Sequence, residues 1–80
     1  MALEARFLKE VGLRLKAERE YLGLTQADLA KRVGVDPSYI AHLENGRKSF
    51  NLDMLVHVCW HLDVEPQEVI GGPKEWALWM

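Results

Sequence analysis

The chain has 80 residues with a single cysteine, only three prolines, and no apolar run approaching the roughly 20 residues that a membrane-spanning helix needs. One cysteine, Cys59, cannot close an internal disulfide, so the fold has to rest on packing, as in a reducing compartment. No stretch alternates apolar and polar residues strongly enough for a sheet, and no repeat or low-complexity segment is present. The start, MALEARFLKE, has neither a basic leader followed by an apolar block nor a small-residue cleavage site, so export is not expected and the compartment reads as cytoplasmic. No nucleophile stands beside a base in the sequence, and a chain this short does not easily enclose a substrate pocket; no enzyme and no cofactor are expected. An excess of charge of one sign is also missing. The net charge is −2, with nearly half of the residues hydrophobic and 28% charged, the balance of a soluble globular domain. At this length one core is the limit, because only about 60% of the unfolded surface is buried on folding.

What is present is helical periodicity. From Phe7 to Leu22 the apolar positions Leu8, Val11, Leu15 and Leu22 recur at spacings of three, four and seven, which predicts an amphipathic helix that Gly23 stops. Thr25 offers a hydroxyl cap for a second helix, with Leu29, Ala30 and Val33 facing inward and Gly34 at its end. Asp36 before Pro37 is a strong start signal: the carboxylate accepts the first free backbone donors, and proline suits a position that needs none. The third helix is predicted from Pro37 to about Asn45, with Ile40 and Leu43 inward and Gly46 ending it. Asn51 can cap a fourth, in which Leu52, Leu55, Val56, Cys59 and Leu62 follow helical spacing. Pro66 opens a short fifth, with Val69 and Ile70. Gly71, Gly72 and Pro73 then break the chain, which divides it into a domain of residues 1–72 and an aromatic tail of residues 73–80.

Two short helices joined by a turn of three to four residues containing glycine form a helix-turn-helix, whose second helix fits a DNA major groove about 12 Å wide. The segment from Leu22 to Lys48, LGLTQADLAKRVGVDPSYIAHLENGRK, resembles the phage-repressor or Cro-type helix-turn-helix family, also called the XRE family. The likeness lies in Gln26 beside the cap, Leu29 and Ala30 inward, Gly34 in the turn, Ile40 on the third helix, and Glu44-x-Gly46 at its end. Arg19 stands where the family places an arginine paired with that glutamate, and the similarity continues through Leu55 and Leu62 to Ile70. The resemblance implies an all-α fold, a five-helix lambda-repressor-like bundle with helices two and three as the helix-turn-helix. It implies a transcriptional regulator of repressor type that reads an operator in double-stranded DNA with its third helix. Phe50, where the family usually has proline, and Asp63, where it usually has a helix-ending glycine, depart from the pattern. Pro37 and Ala41 occupy positions where some members carry base-reading polar side chains.

The charge is split in a way that suits such a role. Residues 1–48 carry nine Lys or Arg against seven Asp or Glu, whereas residues 49–80 carry Lys74 against five acids. Attraction for phosphate must come from the first half. The resemblance makes Gln26 a phosphate contact that fixes the docking angle. Ser38 and His42, four apart on the outer side of helix three, are the candidates for base edges. Tyr39, Asn45, Arg47 and Lys48 gather near the end of that helix, within reach of backbone oxygens, and Arg14 can join them from helix one. Arg19 and Glu44 are read as a structural ion pair.

Asp53, His57 and His61 share one stripe of helix four, as metal ligands would, yet no fourth ligand has obvious spacing; a solvated or interface face is the better reading and no metal is assigned. Cys59 reads as a small buried hydrophobe. Trp60, Trp76, Leu78, Trp79 and Met80 exceed what so small a core needs at its edge. Either the tail covers its own core or it meets a twin subunit; a two-fold homodimer through Trp60, Trp76 and Trp79, extended by Val56 and Val64, is the expectation, since such operators are read as paired half-sites. The rival reading is an antitoxin-like module that docks a protein partner on the aromatic patch.

Overall fold

The computed structural model describes residues 2–71, which form five helices: α1 (Ala2–Tyr21), α2 (Gln26–Val33), α3 (Pro37–Glu44), α4 (Leu52–Leu62) and α5 (Pro66–Ile70). Helix α1 begins six residues before Leu8, the first position of its apolar stripe. Ala, Leu, Glu and Arg in that stretch are strong helix formers, so propensity extends the helix where periodicity gives no signal. Leu22, placed on the stripe by spacing, lies beyond the end of α1 and is exposed.

The caps form as the sequence dictates. The Thr25 hydroxyl accepts from the Asp28 amide while the Asp28 carboxylate accepts from the Thr25 amide, so two orphan donors at the start of α2 are satisfied reciprocally. Gly34 ends α2 at φ +87°, and the chain turns so that Val35 drops onto the core. Asn51 caps α4 through a 2.7 Å bond from the Met54 amide. Asp63 takes the left-handed conformation at φ +59°, a region Asp tolerates better than most residues.

Helix α3 packs against both α1 and α2; α4 lies against α1 and α2, and α5 closes the bundle against α1 and α4. Val11, Leu15, Leu29, Ala30, Val33, Ile40, Leu43, Leu55, Val58, Cys59, Leu62 and Val69 form the core. The seam of α4 is Leu55, Val58, Cys59 and Leu62, whereas Leu52 and Val56 are exposed. Helix α4 is apolar almost all round, so spacing allowed two overlapping stripes and packing against α1, α2 and α5 selected the one through Val58. Among the described residues no helix is long and apolar enough to cross a membrane.

Candidate nucleic-acid interface

With Ile40 and Leu43 turned into the core, the opposite side of α3 presents Ser38, Ala41, His42 and Asn45 at spacings of three, four and seven. Ser38, His42 and Asn45 are exposed, and Ala41 is half-buried. The helix is started by Asp36, whose Oδ1 accepts from the Ser38 amide at 2.8 Å and from the Ser38 hydroxyl at 2.7 Å. Those two bonds, the hydroxyl's first, hold the Asp36 carboxyl below the usual carboxylate range. At the other end Asn45 is the cap, and the Arg47 amide donates back to the His42 carbonyl at 2.9 Å. That fold-back sets the exposed Arg47 and Lys48 beside the end of the helix. The Lys48 ammonium stands 5.0 Å from the centre of the Tyr39 ring, a cation–π contact that ties the loop to α3.

Behind this surface lies a buried polar knot. Arg19 Nε donates to Glu44 Oε2 at 2.7 Å and Nη2 to Oε1 at 3.1 Å, while Nη1 donates to the Leu24 carbonyl at 2.6 Å. Both side chains are almost fully buried, and the bond to Glu44 holds the Arg19 guanidinium above its ordinary pKa. Gln26, the first residue of α2, donates from its amide to the same Glu44 Oε1 at 3.0 Å. One N–H of Gln26 is thereby committed and the second is left for another acceptor. The Arg19–Glu44 pair read from the sequence is present, and it also sets the orientation of Gln26.

Arg14 is not gathered with this group. It is half-buried and donates to the Val69 carbonyl of α5 at 3.3 Å, so it braces α1 against α5. Trp60 is 75% exposed on α4, near Val56, Val64 and Pro66 with an acidic rim of Asp63, Glu65 and Glu68. Trp76 and Trp79 lie outside the described residues.

On α4 the His57 Nε2 lies 3.1 Å from the Val33 carbonyl; since a carbonyl only accepts, Nε2 carries the hydrogen. The His61 ring meets that of His57 edge-on at 4.8 Å and that of Trp60 at 5.1 Å. Burial, helped by His57 and Arg32, lowers the His61 pKa. Among the described residues no three His, Cys, Asp or Glu side chains are grouped as metal ligands would be. Burial and the charge of Glu68 push the Cys59 thiol up to about 11, so it stays protonated.

Among the contacts that escaped the sequence reading are the Asp36 hold on the Ser38 hydroxyl and the Gln26 bond to Glu44. The first was signalled by Asp-x-Ser at a helix start, where an Asx side chain commonly bonds two residues on. The second joins positions 18 apart and left no local mark.

Residues 10–69 match the family described as the helix-turn-helix domain. Over 61 residues, 76% of the chain, the sequence is 34% identical to an immunity repressor protein of Bacillus phage phi105, of whose length it spans 42%. Among solved structures, the restriction-modification controller protein C.AhdI of Aeromonas hydrophila superposes with a TM-score of 0.74 at 35% identity, covering 78% of this chain and 94% of that one. The clp gene regulator ClgR of Corynebacterium glutamicum superposes at 0.77 with 31% identity, covering 80% and 68%. The chain belongs to the helix-turn-helix domain family.

Proposed function

We propose that this chain is a transcriptional regulator that binds an operator in double-stranded DNA, with α3 in the major groove. The observation that carries the reading is the polar outer stripe of α3, Ser38, His42 and Asn45, flanked by the cations Arg47 and Lys48. Gln26, held by Glu44, contributes a phosphate contact through its remaining N–H, and Tyr39, Arg47 and Lys48 contribute others. Arg14, occupied on α5, is at most a peripheral contact. With Pro37 and Ala41 offering no polar group, specificity leans on a few side chains, on DNA shape and on paired half-sites. The repressor and the two regulators to which the chain is similar support the same reading.

A gel-shift titration over several salt concentrations, against random and selected duplexes, tests it. The expected result is a selected site bound far above random sequence, with log affinity falling about 0.9 per phosphate contact for each decade of salt. Failure to bind any duplex at low salt overturns it. The chain acts as a homodimer in this reading, with the exposed Trp60 surface as the contact. That same surface favours the second reading, a protein-docking module of the helix-turn-helix fold that binds a protein partner through it.

A further inference from the structure

A free serine hydroxyl both donates and accepts, so it distinguishes base edges poorly. The Ser38 hydroxyl is not free. Its Oγ stands 2.7 Å from Asp36 Oδ1, and the same oxygen takes the Ser38 amide at 2.8 Å. An ionised carboxylate only accepts, so the hydroxyl hydrogen lies on the line to Asp36 and the lone pairs of Oγ are what remain to face outward. Asp36 is ionised at neutral pH, as an exposed aspartate ordinarily is, and these bonds favour that form further. Pro37 between them fixes φ at the first helical position and keeps the two side chains in this relation.

We infer that Ser38 reads DNA as an acceptor only, selecting the base-edge amino group of adenine or cytosine against the carbonyl oxygen of guanine or thymine, with Asp36 as the positioning residue that sets this direction. The inference rests on the placement of α3 in the major groove proposed above. Exchanging A·T for G·C at the pair facing Ser38 puts a carbonyl where the amino group was. Oγ then faces lone pairs, and it can donate only by turning its hydrogen away from Asp36. The other polar groups of the stripe have no such polarity: the Asn45 amide offers donors and an acceptor together, and the His42 ring nitrogens take either role.

The test is selection of bound sequences from a random duplex pool with the full chain, for wild type, Ser38→Ala, Asp36→Asn and Asp36→Ala, with helix content followed by circular dichroism. One position should lose its preference in Ser38→Ala. At that position wild type should favour adenine over guanine, or cytosine over thymine, by about threefold to tenfold, the worth of one hydrogen bond. Asp36→Asn keeps an acceptor at Oδ1 and should retain the preference, whereas Asp36→Ala releases the rotor and should reduce it below about twofold. A measurement on wild type alone serves if Asp36→Ala does not fold: where the selected base is adenine, affinity should fall in the order adenine, unsubstituted purine, guanine, and where it is cytosine, in the order cytosine, 2-pyrimidinone, thymine. A preference for guanine or thymine at the Ser38-dependent position overturns the inference, as does an Asp36→Ala variant that keeps the wild-type preference, an Asp36→Asn variant that folds but loses it, or a Ser38→Ala variant that selects the wild-type site unchanged. Wild type selecting no site at all overturns the operator reading itself.

Discussion

Glu44 is 3% exposed and Arg19 6%, and every oxygen and nitrogen of the pair has a partner, which is the condition under which buried charge is tolerated. Removing one partner strands the other in the core. Glu44→Ala should therefore cost about 3 to 5 kcal/mol in urea denaturation, a large part of the stability of so small a domain, while Ser38→Ala changes it little. An Arg19→Lys variant that matched wild type would contradict this account, because an ammonium cannot reproduce the fork that meets both oxygens of Glu44 and the Leu24 carbonyl. Cys59 gives a pH dependence of definite sign. Its thiol ionises near pH 8.5 in an unfolded chain but at about 11 in the fold. Between those values the unfolded state loses a proton that the native state keeps, so stability contributed by the neutral thiol is full below about pH 8.5 and falls as the pH rises. Cys59→Ala should be less stable than wild type at pH 7, and the gap should narrow by pH 10; a constant gap in urea midpoints would show that burial does not act on the thiol. At this scale the sequence showed the chemistry of each outward group. It did not show which of their hydrogens are already spent, because the bonds of Gln26 and Arg14 run to residues 18 and 55 positions away.

Between elements, the contact of α1 with α3 is made at Gly12, where an added Cβ would lie 2.4 Å from the Glu44 carbonyl oxygen and 2.5 Å from that of Leu43. Alanine in a helix interior normally gains about 1 kcal/mol over glycine, but here the backbone at the end of α3 stands in the way and α1 must shift off α3. Overpacking of that kind costs about 1 to 3 kcal/mol, so Gly12→Ala should lower the melting temperature and loosen the Arg19–Glu44 geometry with it. Gly34→Ala is the useful comparison. Nothing lies within 4 Å of its added Cβ, and the cost is only that of a left-handed conformation at φ +87°, about 1 to 2 kcal/mol. If Gly12→Ala proves as stable as wild type, the close approach of the two helices is not what α3 rests on. Helix limits were legible wherever a cap or a breaker is written in side chains, as at Thr25, Gly34, Asp36, Asn51 and Pro66. They were less so where propensity alone extends α1, and the buried face of α4 was ambiguous because Leu52, Val56 and Val58 are alike in character and only packing against α1, α2 and α5 distinguishes them. Gly12 gave no sign of its role, since a glycine inside a helical stripe looks the same whether it faces water or a neighbouring backbone.

For the whole molecule, the operator reading has to account for DNA binding by a domain with a net charge of −2. The acids of residues 49–80 lie on α4, α5 and the turns beside them or in the tail, while Arg47 and Lys48 stand at the end of α3, so charge is sorted by element and not averaged over the surface. In the operator reading, a short α3 with few polar outward groups gives limited affinity by itself, and joining two copies would multiply it, because the second half-site is bound at high effective concentration. The Trp60 surface suits that contact: the indole is 75% exposed, Val56 is 46% exposed, and both flank Val64 and Pro66. Because Trp60 contributes little to the core, Trp60→Glu should leave helix content and the urea midpoint of the monomer near wild type. It should instead shift sedimentation equilibrium toward the monomer and weaken binding to a duplex with two half-sites about 34 Å apart by tenfold or more. Binding to a single half-site should change little, since α3 is untouched. Unchanged association together with unchanged binding to the paired site would remove Trp60 from the dimer contact, and loss of a protein partner without loss of DNA binding would assign the same surface to the docking reading.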